Sequence, residues 1–443
     1  MINKLKNKLS SHFVKQPLGL LKSASATTIV RASGMAMGIF ISIFLGRIIG
    51  ADGLGIINLS NQIVVILLLI SLLGFPTVVM KEVSIGVSRK DWHHVNSIMC
   101  TSLLVNGIVG SLIILASYLL IPYFVIHVFD EPKLLMPLTI ALIAMFFQIF
   151  SRIFSAGVRG YDKIWQSSLV DNALSLYIVG LVLLFQFIFN YKISIITVAW
   201  SYAVSRIIVA LSIGFYWQNI KHKSVGNNFM FKTIFKVALP LLLVDATRIV
   251  SSSIDSIMIG SFINTEAVGL YSIALRIAFV SSFFLQIANA VISPKVASMY
   301  ANGKIKELEP LIQNIFRLLT ALAIIFLGVI FFYGKSILSI WGYEFQSAYY
   351  PLVFLSLGQT VSVSVGCVGL IMMLCGQEKL WGLIVISSAF LNIMLNYFLI
   401  KFIGINGAAI ATSTTMIIVN IIGFVMVKKR IGIQTIKLFL NKK

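Results

Sequence analysis

Apolar residues in this chain fall in long unbroken runs, and polar residues gather in short clusters between them. Neither the alternation of a half-buried strand nor the spacing of a surface helix is present over most of the length. A hydrocarbon core about 30 Å thick takes about 20 mostly apolar helical residues to cross. Twelve runs meet that length, near 24–47, 55–79, 97–121, 134–157, 167–189, 193–216, 236–262, 268–292, 311–333, 350–374, 380–401 and 405–427. The pattern predicts an all-α integral membrane fold with twelve transmembrane helices.

The longest polar stretch between runs, 217–235, suggests a division of the chain. The expected parts are an N-terminal tail (1–23), a six-helix lobe (24–216), a linker (217–235), a second six-helix lobe (236–427) and a basic tail (428–443). Self-comparison supports two copies of one unit. Shifting the chain by 214 residues superimposes Asp52 on Glu266, Gly55 on Gly269, Ile63 on Ile277, Lys81 on Lys295 and Lys90 on Lys304 without a gap. Six crossings is an even number, so both copies enter from the same side. They are expected to be related by a pseudo-two-fold axis along the membrane normal, with a path at their interface.

Composition agrees with a membrane chain: of 443 residues, 58% are hydrophobic and 11% charged. The net charge of +21 would suggest nucleic acid in a soluble protein, but here the cations sit between apolar runs. Connections on one side hold only Arg47, Lys133, Lys192, Lys335 and Lys401, whereas most of the 35 Lys and Arg lie in the tails and the alternate connections. Positive charge resists translocation, so both termini are expected in the cytoplasm. The first 22 residues carry Lys4, Lys6, Lys8, Lys15 and Lys22 with no long apolar segment, which reads as a tail before a retained span. The basic tail, with Ile431, Ile433, Ile436 and Phe439 among its cations, is expected to lie on the anionic inner leaflet. No nucleic-acid partner is expected.

An ionisable group inside a span usually faces protein or a water-filled cavity. Arg31, Arg152, Arg206, Arg248, Arg276 and Arg317 fall within spans, against the acids Asp171, Asp245 and Asp255. The internal path is therefore expected to be cationic, with Arg31, Arg206, Arg248 and Arg276 as its candidate anion-binding residues. Asp245, Arg248, Ser252 and Asp255 recur at helical spacing and share one face, and the 214-residue shift aligns Asp245 with Arg31. Asp245 and Asp255 are the candidate coupling or pairing acids. Arg317 and Arg152 are near enough to a span end to snorkel, and Asp171 reads as a helix-interface residue. For Asn61, Gln62, Gln286 and Asn289, helix-to-helix hydrogen bonding is preferred over lining a path.

Other chemistries fit poorly. The segment Gly328–Ser336 has one residue too many between its glycines for a phosphate loop and lies in an apolar run. Cys100, Cys367 and Cys375 all sit in apolar runs and, with His12, His93, His94, His127 and His222, make no ligand-spaced cluster. Neither a metal nor another cofactor is expected. Outer connections such as 122–133 and 334–349 are too short to hold a catalytic domain, so the chain is not expected to be an enzyme.

The stretch Leu45–Gly55, with its Gly-rich turn and the polar start of the next span at Asn58, Ser60, Asn61 and Gln62, resembles the oligosaccharide and polysaccharide flippases. These belong to the multidrug/oligosaccharidyl-lipid/polysaccharide exporter superfamily and include the Wzx-type O-unit flippases. Ser293–Gly303 and Gly404–Thr412 are similar to that family too. The resemblance implies an alternating-access carrier in the bacterial cytoplasmic membrane that moves a polyprenyl-diphosphate-linked oligosaccharide outward, such as an O-antigen or capsule repeat unit. H⁺ or Na⁺ would be the coupling ion, and other polysaccharide-assembly proteins its partners. A diphosphate needs cationic partners in a low-dielectric path, which a surplus of arginines supplies. The alternative is a MATE-type cation-coupled multidrug exporter of the same superfamily. A membrane glycan polymerase would need a large outer catalytic loop.

Overall fold

The computed structural model describes residues 2–222 and 253–435, with the single positions 238, 242 and 246 between them, and their side chains from Ser25 onward. Helices dominate. The first half comprises α1 (Ile2–Leu72), α2 (Phe75–Arg89), α3 (Trp92–His127), α4 (Leu135–Gly160), α5 (Ile164–Asn172), α6 (Leu174–Ile188) and α7 (Ile195–Ile220). After a helix at 253–262, here α8, come α9 (Thr265–Ala278), α10 (Val280–Ala301), α11 (Glu309–Leu338), α12 (Tyr349–Val365), α13 (Val368–Leu374), α14 (Glu378–Ile403) and α15 (Ile405–Arg430). Eight helices among the described residues are long and apolar enough to cross a membrane, or up to ten if each of two bent pairs counts as one span. The chain is a multi-pass membrane protein. Most of the expected span at 236–262, with Asp245 and Arg248, lies outside the described residues.

Several expected spans are broken. The apolar stretch Ser25–Leu72 has 48 residues, enough for two crossings at 1.5 Å per residue. It parts at Gly50, whose φ of 70° and ψ of −174° are open to glycine alone. The run expected to continue through 79 stops at Leu73 and Gly74, both at positive φ. Pro76 explains this, because its ring would clash with the carbonyl four residues back and it has no N–H to donate; the helix restarts as α2 with the proline in its first turn. The span expected at 167–189 bends by 45° at Ala173, between α5 and α6, and that at 268–292 bends by 42° between α9 and α10.

The two halves meet through α1 and α9, at positions that the 214-residue shift equates. A Cβ on Gly55 would strike the Thr265 carbonyl, and one on Gly269 the Ala51 carbonyl. Asn58 Nδ2 donates to Ser272 Oγ at 2.8 Å. Each of the pairs 51/265, 55/269 and 58/272 is separated by 214 residues, so residue i meets the counterpart of j and the reverse, as in a two-fold contact. Nearby, the Glu344 carboxylate accepts from the Ala51 N–H at 2.6 Å, Trp341 Nε1 donates to Ser42 Oγ at 3.0 Å and Arg47 Nε to the Ile340 carbonyl at 2.8 Å. Asp52 accepts from Thr265 and from Lys133. All of these bonds except that of Lys133, which lies within the first half, tie the halves together at one end of the bundle.

At the opposite end, residues after Arg430 pack on the bundle. Ile433 is fully buried beside Ile305 and Leu308, and Thr435 Oγ1 donates to the Val365 carbonyl at 2.7 Å. This part of the tail is anchored in protein rather than spread on a leaflet; residues from 436 lie outside the described residues.

Candidate functional site

A cavity of about 380 Å³ opens where the halves diverge from their seam. α1 contributes Arg31, Gly34 and Gly38, the α5–α6 junction Asn172, α7 Tyr202, α9 Arg276 and α10 Gln286. Gly34 is where the break in the α5–α6 pair approaches α1: a Cβ there would lie 2.9 Å from both the Asn172 carbonyl and the Ala173 side chain. Arg31 is exposed on α1. Arg276 is half-buried and reaches across from α9, its Nη1 donating to the Gly38 carbonyl at 2.7 Å. A guanidinium has five N–H donors, and this is the one hydrogen bond Arg276 makes among the described residues. Among the described residues, none that lines the cavity is acidic. Two guanidinium groups in a partly dehydrated space favour an anion with oxygens to fork around.

The other sequence candidates lie elsewhere. Arg206 is committed through Nη2 to Asn61 Oδ1 at 2.6 Å, in a narrow slit bordered by Tyr202 and not in the cavity itself. That bond is the helix-to-helix role expected of Asn61, whereas Gln286 lines the cavity. Arg317 is exposed, in keeping with a snorkelling anchor. Arg248 and Asp245, and with them the proposed pairing with Arg31, fall outside the described residues.

Asp255 is 4% exposed and is held by neutral groups: Tyr271 hydroxyl and Asn396 Nδ2 donate at 2.7 Å each, and Thr412 Oγ1 also donates. Asn392 extends the cluster by accepting from Asn396 Nδ2 at 3.1 Å and donating to Thr412 Oγ1 at 3.2 Å. No Lys or Arg among the described residues pairs with Asp255. A buried carboxylate answered only by dipoles lacks the compensation that a proton or a cation would bring. Its partners escaped the sequence reading, although Asn392 and Asn396, one turn apart on an apolar helix, were a legible sign.

Arg152 and Asp171 meet as well, with a third member, Arg159, that lies beyond the end of the span expected at 134–157. Arg152 Nη1 lies 3.1 Å from Asp171 Oδ1, and Arg159 Nη2 donates to the other oxygen. α4 runs through Gly160, so Arg159 belongs to the helix. Asp171 is thus the interface residue expected.

A multi-pass chain, helical throughout its described residues, with an arginine-lined cavity and a buried acid apart from it has the build of a membrane transporter. Residues 20–300 match the polysaccharide biosynthesis protein family, and the chain belongs to it. The chain is 30% identical over 164 residues to the probable low-salt glycan biosynthesis flippase Agl15 of Haloferax volcanii, covering 37% of this chain and 34% of that protein. It is 23% identical over 300 residues to the capsular polysaccharide biosynthesis protein CapF of Staphylococcus aureus, covering 66% of this chain and 75% of that one. Among solved structures, the lipid II flippase MurJ in an inward closed conformation superposes with a TM-score of 0.74 at 16% identity, over 92% of this chain and 87% of MurJ. An inward-facing MATE transporter of the MOP superfamily gives 0.73 at 15% identity, over 91% and 98%. The resemblance to Wzx-type flippases of this superfamily, read from Leu45–Gly55 and its echoes, is borne out.

Proposed function

We propose that the chain is a carrier, not a catalyst, and flips a polyprenyl-diphosphate-linked oligosaccharide from the cytoplasmic to the outer face of the cytoplasmic membrane by alternating access. The observation that carries this reading is the 380 Å³ cavity, which has Arg31 and Arg276 on its wall and, among the described residues, no carboxylate. A diphosphate held there forks onto the two guanidinium groups while the glycan takes the remaining space. The seam at Gly55 and Gly269 closes the outer side, and translocation requires it to part. The reciprocal contacts of Gly55 with Thr265 and of Gly269 with Ala51 support two lobes about a pseudo-two-fold axis; the run lengths and the charge asymmetry of the connections support six helices in each, twelve in all, with both termini cytoplasmic. Asp255 is the coupling group: H⁺ or Na⁺ bound among Tyr271, Asn396 and Thr412 offsets its buried charge, and release of that ion favours a different packing of α8 against α14 and α15.

That same buried acid favours a second reading, a cation-coupled drug exporter. The two arginines of the central cavity weigh against it, since an organic cation would meet Arg31 and Arg276 there. A deletion strain separates the two. Lipid-linked glycan trapped on the cytoplasmic leaflet supports the flippase; unchanged glycan export with raised sensitivity to cationic drugs supports the exporter.

A further inference from the structure

A second cavity, of about 430 Å³, lies between α1, α2, α4 and α5, toward the end of the bundle that the charge distribution assigns to the cytoplasm. One wall is apolar, built by Val65, Leu68, Leu69 and Leu72 of α1. Facing it are Arg152, Arg159 and Asp171. The arginines are seven residues apart, two turns along one face of α4, and they share one carboxylate, so the wall keeps an uncompensated positive charge. The Asp171 side chain is 13% exposed, whereas Arg152 and Arg159 are 37% and 39% exposed. The carboxylate therefore sits behind and the guanidinium groups face the opening. Gly74, which caps α2, and Pro76 and Thr77 in its first turn border the same space. That helix has no side-chain cap and no acid in its first turn, which leaves the positive end of its dipole unanswered. Asn172 lines this cavity and the central one alike, so the two adjoin at the break between α5 and α6.

A cationic wall opposite an apolar one suits a phosphate ester carried on a long hydrocarbon chain. We propose that this cavity is a loading site, where Arg152 and Arg159 hold the phosphate or diphosphate of a membrane lipid against the apolar face of α1 before the headgroup passes Asn172 into the central cavity. The assignment rests on the flippase reading. Asp171 is the resident anion that keeps both arginines placed while the site is empty, and an arriving phosphate competes with it.

The test uses the full chain in nanodiscs with three probes: a long-chain polyprenyl phosphate carrying a photoreactive group on its tail, the neutral polyprenol, and inorganic diphosphate. The polyprenyl phosphate should label residues 65–72 of α1, and the polyprenol should not. Arg152→Gln with Arg159→Gln should weaken that labelling by about tenfold or more, the scale of a lost charge-assisted contact. Asp171→Asn should strengthen it, because the competing charge is gone while the amide oxygen still accepts. A purely structural clasp predicts the reverse for Asp171→Asn, a lower melting temperature and weaker labelling, and that result overturns the proposal even if the arginine variants fail to fold. Inorganic diphosphate protecting 65–72 at the concentration at which the lipid binds would point to a free-phosphate site and overturn the lipid assignment. Translocation measured in the same preparation separates the two levels: glycan flipping without labelling at 65–72 removes the loading site alone, and labelling without flipping removes the flippase reading.

Discussion

The seam between α1 and α9 allows a conformational prediction. Changing Gly269 to Ala places a methyl group on the Ala51 carbonyl, and changing Gly55 to Ala places one on the Thr265 carbonyl. Backbone is on the receiving side in both cases, so no flexible side chain yields and the helices must separate. Overpacking of this kind costs about 1–3 kcal/mol. The helix-propensity gain of Gly→Ala, up to about 1 kcal/mol, applies whether the seam is open or shut, so it does not oppose the shift. The closed state should then lose population to the outward-open one by about 5- to 150-fold. A single cysteine at Ser272, in a chain whose Cys100, Cys367 and Cys375 are replaced by Ala, reports on this through its reaction with an impermeant maleimide added from outside. The labelling rate should rise within that range, and by similar factors for the two substitutions because the contacts are reciprocal. If both variants insert and fold normally yet label at the parental rate, the seam is not the outer gate.

The remaining predictions address coupling, the tail and topology. Asp255→Asn keeps the shape of the side chain and removes its charge; flux in proteoliposomes should fall about tenfold or more and lose its response to an imposed proton or sodium gradient, and a retained response would place coupling elsewhere. Ile433→Ala should destabilise the second half by about 2–5 kcal/mol, read as a lower melting temperature in detergent, whereas the fully interfacial tail expected from sequence would show no change. Reporter fusions after Lys223 and Lys443 should read cytoplasmic and one after Glu266 external; an external C-terminus would require an odd number of crossings.

Much of the fold was legible because a hydrocarbon core imposes run length on the sequence and the 214-residue repeat is carried by ungapped residue types. The breaks were less so. Pro76 does announce the stop at Leu73–Gly74, but the bend at Ala173 follows from tertiary packing of Asn172 and Ala173 on Gly34, which leaves no local mark. The candidate site divides in the same way. Arg31 and Arg276 were identified from charge in apolar runs, and the structure brings them to one cavity. Arg206 carried the same signal, yet its bond to Asn61 depends on which faces of α1 and α7 meet. Arg159 falls past the span expected at 134–157, whereas α4 continues through Gly160 and carries it inside the helix. Thr412 and Tyr271 are ordinary span residues until the fold sets them around Asp255.

The central claim is that the arginine-lined cavity carries a lipid-linked diphosphate. Its most direct test is reconstitution of the parent chain and an Arg31→Gln, Arg276→Gln variant in liposomes, with outward movement of a polyprenyl-diphosphate-linked oligosaccharide read by lectin capture. The parent should flip the lipid and the double variant should lose about 100-fold or more, the product of two charge-assisted contacts. The corresponding lysine variant should retain part of the rate, because it keeps the charge without the planar fork. Equal flux in parent and double Gln variant, with both correctly inserted, would contradict the account.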